Sequence, residues 1–235
     1  MSTIPRMFTA VTLLMVVALV IDGSTPSRGS DPPTSSTVES KLVSDCGNAF
    51  YDDGTAEDTD WFYGEGAGDP DKMFAVKFVL ADFGRTPGNT QITSFCAANQ
   101  MDWGGPWPNE VFIYPAGPGG MPDDSTVLGQ GTIYTGDGQG WYEVTLVAPV
   151  ILTGDFWLVN RGDPAWVGED FNMDFDSSSD AGQSYISSSG IAGLESTTVG
   201  NYMLRATLET VLPDGGIFLD GFESGDITAW SDSVP

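Results

Sequence analysis

Two runs of acidic residues carry most of the chemistry this sequence offers. The first is Asp52-Asp53-Gly54-Thr55-Ala56-Glu57-Asp58-Thr59-Asp60, and the second is Asp170-Phe171-Asn172-Met173-Asp174-Phe175-Asp176. Carboxylate oxygens in such density suit calcium, a hard cation that takes oxygen ligands and is common in extracellular proteins. In the first run Gly54 supplies a turn, and Asp52, Asp53, Glu57, Asp58 and Asp60 are the candidate metal ligands. The second run does not match an EF-hand loop. Counted from Asp170, its sixth position is Phe175 rather than glycine and its twelfth is Ala181 rather than glutamate. It alternates as a strand does, with Asp170, Asn172, Asp174 and Asp176 on one face and Phe171, Met173 and Phe175 on the other. Neighbouring carboxylates on a strand repel unless a cation or protons intervene. Either run also reads as a solvated acidic surface that keeps an exported protein soluble.

The second run raises a hydrolase reading as well. Jelly-roll glycosidases set two carboxylates on alternate positions of one strand as acid and nucleophile, and here the pair would be Asp174 and Asp176. One member must then have a raised pKa. Other catalytic sets are absent. The chain has no histidine, which excludes Ser-His-Asp and Cys-His nucleophile systems and histidine zinc sites. It has no G-x-S-x-G, H-E-x-x-H, C-x-x-C or Gly-Lys-Ser/Thr phosphate loop. With 33 acidic against 8 basic residues, the formal charge of −25 argues against nucleic acid and anionic membrane surfaces as partners.

Trp103 and Trp107, in the stretch Met101 to Pro108, are candidate ligand-binding residues, since exposed tryptophan faces stack on sugar rings. Rings that cover the end of the core are the alternative. Arg161-Gly162-Asp163 spells an adhesion tripeptide, but Gly-Asp-Pro is ordinary turn chemistry. Cys46 and Cys96 read as one disulfide in an exported chain, with two buried free thiols as the alternative.

The elements that must position these groups follow from the rest of the chain. Thr9 to Ile21 is an apolar run of 13 residues behind Arg6, short for a bilayer span and typical of a secretory signal at residues 1–23. An uncleaved anchor is the alternative. Residues 24–40 form a Ser/Thr/Pro-rich linker with little apolar surface to bury. From 41 to 212, short apolar runs alternate with Gly, Pro, Asp and Asn clusters: Met73 to Phe83, Thr90 to Ala97, Val111 to Tyr114, Trp141 to Val150, Asp155 to Val159 and Asn201 to Leu208. Phe74, Val76 and Phe78 fall on one side of their run, and Ala75, Lys77 and Val79 on the other. No window keeps a helical period, so the region predicts an all-β fold. Within 41–211 there are 25 acidic and 6 basic residues. Residues 213–235 form a short tail carrying Asp220-Gly221-Phe222-Glu223-Ser224-Gly225-Asp226, too small to fold alone.

Several motifs occur in an order that resembles a β-sandwich module of secreted and cell-surface bacterial proteins. They are Tyr51-Asp52-Asp53-Gly54-Thr55-Ala56-Glu57, then Gly140-Trp141-Tyr142-Glu143-Val144 with Pro149-Val150 and Gly154-Asp155-Phe156-Trp157-Leu158. Asp176 with Ser184-Tyr185 follows, and Gly200-Asn201-Tyr202-Met203-Leu204-Arg205-Ala206 closes the series. Such modules are appended to exported peptidases or surface proteins and resemble carbohydrate-binding jelly rolls. The resemblance implies no general catalytic residue. This chain departs from the family pattern at Ser187 to Leu194, which is small and weakly apolar where the family often has aromatics. The tail is similar to a short C-terminal segment of many exported bacterial proteins.

The sequence thus predicts a single jelly-roll-like antiparallel β-sandwich, exported, with a flexible linker before it and a short tail after it. The expected function is non-catalytic binding or adhesion to a glycan or other cell-surface component, with Ca2+ as the candidate cofactor and no membrane insertion after signal removal. A small carbohydrate-active hydrolase and a structural surface or matrix protein are the alternatives.

Overall fold

The computed structural model describes residues 40–62, 71–100, 107–135, 138–162 and 171–211. The expected signal, all of the linker but Ser40, and the tail lie outside the described residues.

The described chain is built from strands: β1 (Lys41–Val43), β2 (Asp58–Phe62), β3 (Met73–Phe78), β4 (Thr90–Asn99), β5 (Trp107–Pro115), β6 (Gly129–Thr135), β7 (Gly140–Leu152), β8 (Phe156–Gly162), β9 (Phe171–Asp176), β10 (Ser184–Ser187), β11 (Glu195–Ser196), β12 (Asn201–Tyr202) and β13 (Leu204–Thr210). The helical pieces among the described residues are short 3-10 turns at Leu80–Phe83, Pro118–Gly120 and Ile191–Gly193. No helix there is long and apolar enough to cross a membrane.

The strands form three sheets, ordered β1-β7-β4-β13, β11-β10-β3-β8-β5-β6 and β12-β9-β2. Every paired neighbour is antiparallel. The fold is therefore an all-β antiparallel sandwich, as the alternating runs predict. Its core joins Phe74, Val76, Phe78, Val111, Ile113, Ile133, Phe156 and Leu158 of the six-stranded sheet to Ile92, Phe95, Ala97, Tyr142, Val144, Leu204, Ala206 and Leu208 of the four-stranded one. Met173, Phe175 and Tyr202 bring the small sheet into the same core. Each fully buried Val, Leu, Ile, Phe or Met side chain among them stabilises the fold by about 1.5–3 kcal/mol. Gly131 lets the sheets approach: a Cβ there would lie 2.7 Å from Val144 and 3.1 Å from Phe95.

Two departures from simple alternation have local causes. On β4, Ile92 points inward and so do Phe95 and Ala97, because the pairing shifts register between Ile92 and Ser94. On β3, the side expected to carry Lys77 also buries Met73 and Ala75. These pack with Phe112, Tyr114, Trp157, Val159 and Leu194 in a second cluster, covered by Met121 and Ile191 beside two of the 3-10 turns. The central strands β3 and β8 are thus buried on both faces, which explains their near-continuous apolar sequence.

Cys46 and Cys96 form the disulfide. Cys46 lies in the segment after β1, and Cys96 lies in β4.

Candidate functional site

The β2–β9 ladder sets the geometry. Asp58 pairs with Phe175, and the Glu57 N–H donates to the Phe175 carbonyl at 3.2 Å, which carries the pairing one residue further toward Asp176. The preceding turn is held by its own acids. Asp52 accepts from the Gly54 N–H at 3.0 Å and Asp53 from the Thr55 N–H at 2.9 Å. As a result, carboxylate oxygens of Asp53, Glu57 and Asp176 come within 4.8 Å of one another. Asp53 and Glu57 are exposed, and Asp176 is 0 % exposed.

Hydrogen bonds fix the inner member. Asp176 Oδ1 accepts from the Ser178 N–H at 2.7 Å and the Ser178 hydroxyl at 2.6 Å. Its Oδ2 accepts from the Asp53 N–H at 2.9 Å and the Ser179 hydroxyl at 3.2 Å. The Ser177 N–H donates to Glu57 Oε2 at 2.8 Å. The ion pairs found among the described residues involve Arg161 and Arg205 and leave this trio untouched. The trio is therefore a dense negative site with oxygen donors from two distant parts of the chain, chemically suited to calcium.

Burial pushes the Asp176 carboxyl up, but hydrogen bonds from the Ser178 hydroxyl and N–H and from the Asp53 N–H outweigh it. The group is held below the usual carboxylate range. A depressed folded-state pKa contributes stability above the unfolded value, and that stability is lost as pH falls through the folded value. Denaturation between neutral and acid pH should show wild-type stability declining below about pH 4. Asp176→Asn should flatten that decline, and an equally steep decline in the variant would refute the assignment.

The five ligand candidates of the first acidic run separate in space. Asp53 and Glu57 enter the trio. Asp52, 4 % exposed, turns to Arg205 instead, accepting from its Nε and Nη2. Asp58 accepts from the Thr59 N–H at 2.8 Å, and Asp60 accepts from the Tyr202 hydroxyl at 2.8 Å. Burial and then Asp60 raise the Tyr202 pKa, so that hydroxyl stays protonated. The third member of the trio, Asp176, comes from the second run. Its D-S-S-S sequence is an Asx-turn signal that marks it in retrospect.

The solvated-surface reading fails for Asp174 and Asp176, which are 3 % and 0 % exposed. Strand β9 is central in its sheet, and both carboxylates lie covered. Asp174 accepts from the Thr59 hydroxyl at 2.7 Å and the Gln100 N–H at 2.6 Å. In a glycosidase pair the lowered pKa of Asp176 suits a nucleophile and not an acid.

Trp103 lies outside the described residues, and of Trp107 only the backbone is described, paired with Thr135 at the start of β5. That pairing lies at one end of the sandwich, where Met73 also meets Arg161 and Asn109 meets Gly162. In the Arg161-Gly162-Asp163 tripeptide, Arg161 and Gly162 close strand β8, and Asp163 lies outside the described residues. The Arg161 guanidinium stacks 4.0 Å from the Phe112 ring centroid and lies 3.7 Å from Glu110.

The centre that sequence reasoning missed is Arg205. It is 3 % exposed and donates to Asp52, to Asp45 at 3.0 Å and to the Cys46 carbonyl at 3.3 Å. Its guanidinium lies 3.9 Å from the Trp141 ring centroid and 4.3 Å from that of Phe50. Gly47, at φ 72°, permits this wrapping, since a Cβ there would lie 2.7 Å from Arg205 Cβ.

No family model and no curated protein matches the chain. Among solved structures it is similar to the cysteine protease and lectin-like domains of Cwp84, a surface layer associated protein of Clostridium difficile. The identity is 17%, the TM-score is 0.41, and the match covers 67% of this chain and 37% of that one. A likeness of that size decides neither fold nor site.

Proposed function

We propose that this chain is an exported, non-catalytic β-sandwich module that binds carbohydrate or cell-surface material. In it, Asp53, Glu57 and Asp176 hold a calcium ion that fastens the turn before β2 to the end of β9. The observation that carries the reading is the convergence of three carboxylates to which no basic side chain among the described residues is paired. Like charges so close together oppose folding, and a divalent cation reverses the sign of that contribution. The ordered motifs that resemble secreted bacterial sandwich modules support the export and binding parts of the reading.

Calcium at about 100 times its dissociation constant should stabilise the fold by about 2.7 kcal/mol. For a domain of this size that raises the melting temperature by roughly 5–10 °C. The check is a thermal melt of the full chain in millimolar calcium against chelator, with Asp53→Asn alongside. The expected result is a calcium-dependent rise in the wild type that the variant loses. Equal melting temperatures in calcium and chelator would remove the calcium site.

A further inference from the structure

A second polar site lies away from the acidic trio, around Arg85. The turn that follows the 3-10 turn Leu80–Phe83 is closed by the Arg85 N–H, which donates to the Leu80 carbonyl at 3.0 Å. With the start of β4 and the end of β13 it borders an open pocket of about 370 Å³ lined by Gly84, Arg85, Thr86, Asn89, Thr210 and Val211, with Thr90 beside them.

Two hydrogen bonds hold the Arg85 guanidinium in place. Nη1 donates to the Thr210 hydroxyl at 3.0 Å, and Nη2 donates to the Leu208 carbonyl at 2.9 Å. Both acceptors are neutral, and none of the ion pairs among the described residues includes Arg85. The acids nearest in sequence to the pocket are engaged elsewhere: Asp82 accepts from the Tyr51 hydroxyl at 2.9 Å, and Glu209 from Gln91 and Thr93 at 3.4 and 3.5 Å. Among the described residues of this strongly acidic chain, Arg85 is thus an oriented guanidinium paired with no carboxylate, at the edge of a polar pocket. Of the five N–H groups of a guanidinium, these two hydrogen bonds use one on Nη1 and one on Nη2, and three remain to donate to an anion.

We propose that the Arg85 pocket is a carboxylate-binding site, with the Asn89 amide and the Thr86 hydroxyl as further hydrogen-bonding groups. Two sources supply such a carboxylate: an acidic sugar, or the chain's own Asp214, three residues beyond the pocket-lining Val211. The inference does not depend on the calcium reading.

The test is an NMR titration of the labelled full chain with sodium glucuronate, with glucose as the neutral control. Glucuronate should shift the Arg85 Nε–H and Asn89 side-chain amide signals saturably, and glucose should leave them in place. Arg85→Gln should abolish the response while amide signals remote from the pocket stay put; Arg85→Lys serves if that variant does not fold. Asp214→Asn separates the sources. If Asp214 fills the pocket, the Arg85 signal moves in that variant and glucuronate binds several-fold tighter. If it does not, the glucuronate affinity is unchanged. The proposal is overturned if the Arg85 signal responds to neither glucuronate nor the Asp214 substitution, or if Arg85→Gln binds glucuronate as the wild type does.

Discussion

Arg205→Met is expected to lower folding stability by about 3–5 kcal/mol, because it leaves the Asp52 carboxylate buried without its partner. Asp52 is 4 % exposed, so water cannot take over the role of the guanidinium. The substitution also removes the guanidinium that stacks on the Phe50 and Trp141 rings. Arg205→Lys should recover little, since an ammonium offers neither the paired donors nor the flat stacking surface. Pairing Arg205→Met with Asp52→Leu should recover more, because it removes the stranded charge. Urea denaturation of the four proteins checks this order. A single Arg205→Met variant within about 1 kcal/mol of wild type would mean that the pair carries no more weight than a surface bridge.

The second large effect belongs to the disulfide. Cys46 and Cys96 are 50 residues apart in sequence, and closing a loop of that length stabilises by about 4 kcal/mol in the chain-entropy account. Replacing both cysteines by alanine should lower the urea midpoint accordingly, and reduction of the wild type should do the same. The two large effects should not add. Cys96 pairs with Arg205 across β4 and β13, and the Cys46 carbonyl accepts from the same guanidinium. A triple variant that lost the full sum of both effects would contradict this coupling.

These residues also show what the sequence makes legible. The sandwich follows from short apolar runs punctuated by turns, and β3, β4, β5, β7, β8 and β13 each lie on a run readable without coordinates. Strands β1, β10 and β11 are two to four residues long, too short for alternation to mark them, and owe their conformation to their neighbours. The acidic site was half legible. Asp53 and Glu57 stand in one readable run, but Asp176 reaches them only through the β2–β9 register, which composition does not encode. Asp52 shows the converse: it sits within the same run, yet its partner lies 153 residues further along the chain.

Burial corrected the second run most. Alternating acids on a strand suggest a wet face, but Thr59, Gln100, Ser178 and Ser179 each donate a hydrogen bond to Asp174 or Asp176. Buried carboxylates are tolerated where donors of this kind surround them.

The most direct test of the account is a glycan panel run on the full chain with and without calcium, read both for retained ligand and for released reducing ends. The account predicts retention of at least one glycan class, weakened by chelator, with no released ends. Release of reducing ends that Asp174→Asn or Asp176→Asn abolishes would contradict it and establish a hydrolase. A panel that retains nothing in calcium would contradict it as well.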